Sequence, residues 1–140
     1  MQALVFLLCA CVSLEPAYVV IDGDTFVLAG ERIRIANIDA PALQAAGCKA
    51  ENQLGERAKR QLESLLVTGF ITVNRGDPAT GRLKGPDGDT LATVSIDGAD
   101  VGEMMIEAGA ARKANAGSAR PAVLQASSSN EACVQATAGR

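Results

Sequence analysis

The chain has 140 residues, enough for one domain with its own core, and only 3% of them are aromatic. It has no His and no Trp, so imidazole chemistry is excluded and acid–base work falls to Asp, Glu, Lys or Tyr18. The net charge of −3 argues against a protein that grips nucleic acid by bulk charge, though not against a local basic patch.

Residues 1–16 read as a signal peptide. Residues 3–12 form an apolar run of the length of a signal core, too short to span a bilayer, and no Lys or Arg precedes it. Leu8-Cys9-Ala10-Cys11 also vaguely resembles a lipoprotein cleavage site. The expectation is export, with a lipid anchor as a variant and a cytoplasmic setting if the segment is not a signal. Export would favour a bond between Cys48 and Cys133, and two buried free thiols are the alternative.

The next residues predict a three-strand meander. Residues 18–21, YVVI, are the first strand and DGDT is a turn. Residues 26–30 are the second strand, and Gly30-Glu31 turns into the third, residues 32–38. On that third strand Arg32 and Arg34 share one face, and Ile33 and Ile35 the other. A helix is predicted over 50–66, with Leu54, Ala58, Leu62, Leu65 and Leu66 on its apolar stripe. FITVNR is the fourth strand, residues 76–89 a long Gly- and Pro-rich loop, and TLATVSI the fifth strand, with Leu91 and Val94 toward the core. Asp97-Gly98 is a turn, and Asp100 with Glu103 caps a second helix that stops at Gly109. Residues 114–140 are small and polar and read as a weakly patterned tail. The fold expected is mainly β with two helices (α+β), a five-stranded OB-fold barrel over residues 17–113.

VIDGDTFVL, RIRIANIDAP, LGERAKRQLESLL and TLATVSIDGADVGEMMIEAGAAR, in that order, resemble the thermonuclease, or staphylococcal-nuclease-like, family. The resemblance implies an ancestral calcium-dependent hydrolysis of phosphodiester bonds in DNA and RNA. It implies metal contacts from Asp24, Asp39 and the backbone carbonyl of Ala40, and a phosphate contact from Arg34. The family's general-base glutamate falls on Ala42, and its second arginine on Asp89. An alanine cannot accept a proton, and an aspartate opposes the charge the transition state needs. Calcium binding at so sparse a site is expected to be weak, at roughly 10⁻⁴–10⁻³ M.

Arg82 or Lys84 in the long loop, or Glu51 at the helix start, are candidate substitutes. Asp22 has a second reading as a turn residue that bonds the backbone. Three functions stay open: a pseudo-nuclease that binds without cutting, a slow metal-dependent nuclease using a substitute base, and a scaffold with no ligand at this site. Nucleic-acid binding is expected to be weakened, a protein partner stays unknown, no transmembrane span is expected, and a monomer is the expected state.

Overall fold

In a computed structural model the structure describes residues 18–41, 43 and 49–115. The chain order is β1 (Tyr18–Val20), β2 (Thr25–Leu28), β3 (Glu31–Ile35), β4 (Ile38–Asp39), α1 (Lys49–Leu66), β5 (Ile71–Arg75), β6 (Thr90–Ile96), β7 (Ala99–Asp100), α2 (Val101–Glu107) and β8 (Arg112–Lys113). It is mainly β with two helices, as the sequence predicts. The main sheet runs β1-β2-β3-β6-β5, with β7 on β6 and a separate β4–β8 pair. Among the described strands β3 and β6 pair parallel and the other pairs are antiparallel.

The five-strand order is that of an OB-fold, but the barrel expected from the sequence is not closed. Among the described residues no ladder joins β1 to β5. The third strand is also shorter than predicted. It breaks at Ala36-Asn37, where the Ala36 N–H donates to the Ala92 carbonyl and the Asn37 amide donates to Asp100 at 3.0 Å. The chain restarts as β4 and pairs with β8, a strand the sequence pattern did not suggest.

Two two-residue hairpin turns share one backbone twist, which suits Asp97, Gly98 and Gly30 but not Ala29. Asp97 and Gly98 both have positive φ, at 49° and 87°, the twist a two-residue hairpin requires. Ala29 and Gly30 repeat it at 48° and 82°, one residue earlier than the predicted turn, so Glu31 opens β3.

The core gathers Phe26, Ile33, Ile35, Leu62, Leu66, Val94, Val101 and Met105, all essentially buried. Two of the predicted core contacts are displaced. Leu54 is half exposed, near the start of α1. Leu91 is only half-buried, because strand alternation puts Ala92, Val94 and Ile96 inward and Leu91 on the other face. Gly23 lets the turn before β2 lie against α1: a Cβ there would stand 2.5 Å from Ala58 Cβ and 2.8 Å from Ala40 Cβ. Phe26→Ala is expected to cost about 3–5 kcal/mol, from lost burial plus a cavity that so small a core cannot collapse. Urea unfolding of the two proteins measures it, and a loss below about 1 kcal/mol would mean that the surroundings refill the space.

Candidate active site

Asp24 ends the turn that Gly23 allows. The N–H groups of Ile21 and Asp22 both donate to the Thr25 carbonyl, and the Asp24 carbonyl accepts the Ile35 N–H at 2.8 Å. The carboxylate is therefore carried inward, onto the start of β2. Thr25 Oγ1 donates to its Oδ1 at 2.8 Å, and the Ala40 N–H donates to its Oδ2 at 3.3 Å. Arg34 Nη2 lies 3.6 Å from the same Oδ2. Burial pushes the Asp24 carboxyl up to about 6, with Asp22 adding to the rise and Arg34 opposing it. Asp22 turns its own Oδ1 back to the Asp24 N–H at 3.3 Å, the turn role the sequence offered as its second reading.

The Asp24 shift makes a pH prediction. A carboxyl whose folded value lies above its ordinary 3.8 favours folding when protonated. Its contribution is full below about pH 4, falls as pH rises toward 6, and stays lost above. Asp24→Asn, which keeps an acceptor for Thr25, is therefore expected to stabilise the domain at pH 7.5 by on the order of 1–2 kcal/mol. The gain should vanish near pH 4. Urea unfolding at the two pH values measures it, and an equal effect at both would remove the ionisation as its cause.

Asp39 sits on β4 directly across the ladder from Arg112 on β8. Arg112 Nη2 and Nε approach Asp39 Oδ2 at 3.1 and 3.3 Å. The pair is set by backbone register as well as by charge, although Arg112 itself is largely exposed. The sequence pattern pointed to Asp39 but not to Arg112, because the pairing of β8 is a tertiary choice.

Arg34 shares the outward face of β3 with Arg32, and on the neighbouring strand end stands Asp89. Asp89 is buried, and its Oδ1 lies 2.8 Å from Arg32 Nε. The sequence reading has Asp89 as an anion facing the reaction. In the structure its charge is answered by Arg32, which parallel pairing of β3 with β6 brings alongside.

The family model of staphylococcal nuclease homologues matches residues 32–135. The chain belongs to this family. The match takes in every element from β3 onward and starts after Asp24, whose place rests on the DGDT resemblance. No curated protein matches the chain.

As a staphylococcal nuclease homologue, the chain can be compared with the family's site position by position. Asp24 meets Arg34 and the Ala40 N–H, while Asp39, one residue earlier on β4, meets Arg112. Ala42 lies outside the described residues, as do Cys48, Cys133 and the side chain of Glu51.

Lys84 is no substitute for the second arginine. Its Nζ donates to Thr90 Oγ1 at 2.8 Å, and Thr90 in turn donates to Glu31 at 2.8 Å. Glu31 lies in phase with Ile33 and Ile35, and Thr90 with Ala92 and Val94, so this network lies on the opposite face from Arg32 and Arg34. Its double contact with Arg75 and the Thr90 hydroxyl hold Glu31 down to about 2.

The loop bearing Arg82 and Lys84 is folded rather than free. The Asp77 N–H donates to the Arg82 carbonyl, the Gly85 N–H to the Asp89 carbonyl and the Leu91 N–H to the Leu83 carbonyl. Asp77 also holds Thr80 and the Ala79 N–H.

The family is in general calcium-dependent. Calcium takes six to eight oxygens. Here both Asp24 oxygens accept from the protein, Asp39 faces a guanidinium, and no three acidic or Cys side chains converge among the described residues. As arranged, these residues do not fit a tightly held calcium ion. Among the described residues no helix is long and apolar enough to cross a membrane.

Proposed function

We propose that this domain is a catalytically impaired staphylococcal nuclease homologue that keeps a phosphate-facing arginine, Arg34. The observation that carries the reading is the buried carboxylate of Asp89, paired with the half-exposed Arg32, at the place where the resemblance puts a phosphate-binding arginine. A guanidinium there would stabilise charge developing on the transferred phosphate; a carboxylate in an ion pair supplies none. Ala42 compounds the loss, because its methyl group cannot take a proton from an attacking water.

What remains is positioning. Arg34 can orient an anionic oxygen, and Asp24 fixes Arg34 and the Ala40 backbone. An exported setting, supported by the apolar run at residues 3–12, is part of the same reading. A cutting assay on plasmid and single-stranded DNA, with calcium and with chelator, tests it. Slow, barely metal-dependent cutting is expected; rapid digestion that chelator abolishes would overturn it.

A further inference from the structure

Arg32 and Arg34 stand two residues apart on one face of a strand, so their Cα atoms are separated by about 7 Å. That spacing lets two guanidinium groups converge on one small anion. Their donors are poorly used within the protein. Arg34 is only 19% exposed, yet its one partner among the described residues is Asp24 Oδ2 at 3.6 Å, beyond hydrogen-bonding range. Arg32 is 51% exposed and spends its Nε on Asp89, leaving both Nη groups without a protein acceptor among the described residues. Asp89, at 6% side-chain exposure, is a fixed anchor. A guanidinium held at Nε keeps an Nη edge for a second, forked contact.

We propose that Arg32 is the second guanidinium of a phosphate clamp with Arg34, and that Asp89 orients it. The inference rests on reading Arg34 as a phosphate contact, and it relocates the partner arginine from β6 to β3. The ligand is one phosphate group, either of a phosphodiester strand or free in solution. The two arginines face the carboxylates of Asp24 and Asp89, so the local charge is nearly balanced. Binding should therefore be weak, with a dissociation constant roughly in the millimolar range.

The test follows the arginine Nε–Hε resonances of the full chain by NMR, in chelator to prevent cutting. Inorganic phosphate and a short oligothymidylate are titrated separately, with chloride holding the ionic strength. Saturable shifts at both Arg32 and Arg34 are expected. Arg32→Gln, whose amide can still donate to Asp89, should weaken binding about fivefold or more. Arg32→Lys, which keeps the charge but not the fork, should fall between. Saturation by the oligonucleotide alone would support the clamp with a strand as its ligand, and by phosphate alone with a free anion. A response at Arg34 with Arg32→Gln binding within twofold of wild type would overturn the proposal and leave the Arg34 reading standing. No response at either arginine would overturn both.

Discussion

With calcium supplied, the purified domain is expected to cut single-stranded DNA at least about 10³-fold more slowly than a relative with glutamate at the Ala42 position and arginine at the Asp89 position. A positioned base contributes about 10²–10⁴-fold, because water must otherwise lose its proton to solvent as it attacks. A charge-stabilising donor is worth about 10²–10³ in comparable sites. The two losses act on one transition state, so they will not multiply in full, and the larger sets the floor. The clamp of Arg32 and Arg34 does not rescue the rate: it supplies binding without a proton acceptor. Initial rates at saturating DNA, with and without chelator, measure the deficit. A deficit below tenfold would require a substitute base and would direct attention to Glu51.

What could be read from the residues alone was local. The Asp97-Gly98 turn, the Asp100 cap with the Glu103 N–H donating to it at 2.9 Å, and the helix over Ala58, Leu62 and Leu66 follow from short-range pattern. What could not be read depended on contacts between distant segments. The strand break at Ala36-Asn37 is set by Asp100 and Ala92, neither of which is near in sequence. Arg112 reaches Asp39 only because the chain returns after α2 to pair with β4.

The site shows the same division. Asp24, Arg34 and Asp39 are visible as a motif; in the structure Asp24 meets Arg34 and Asp39 meets Arg112. The meaning of Asp89 was not visible, because an aspartate replacing an arginine looks like a simple reversal of charge. Only the parallel register of β3 and β6 reveals that Arg32 accompanies it. Leu91 was misplaced for a plainer reason: positions three apart on a strand face opposite ways, so Leu91 and Val94 cannot both point inward. The loop over 76–89 was rich in Gly and Pro, and such composition marks turns as readily as mobility.

Ala42→Glu with Asp89→Arg is the obvious repair, and it is expected to fail as a pair. Asp89→Arg would put a second guanidinium where Arg32 Nε now meets a buried carboxylate at 2.8 Å. Placing an unpaired guanidinium at the buried position 89, beside Arg32, should cost on the order of 3 kcal/mol, a large share of a small domain's stability. The added change Arg32→Asp moves the carboxylate onto β3 and frees position 89 for the guanidinium, so the ion pair is kept with its partners exchanged. The triple variant is therefore expected to unfold near the wild-type urea midpoint, whereas Asp89→Arg alone unfolds well below it. In the calcium assay it should cut at least about 10²-fold faster than wild type, because base and charge stabilisation return together. Ala42→Glu alone should recover much less, since the Asp89 carboxylate offsets the charge that Arg32 brings to the transition state. If the triple variant is stable and still silent, the defect lies at the metal. Arg112 then becomes the next residue to change, because its guanidinium holds the Asp39 oxygen that a calcium ion would need.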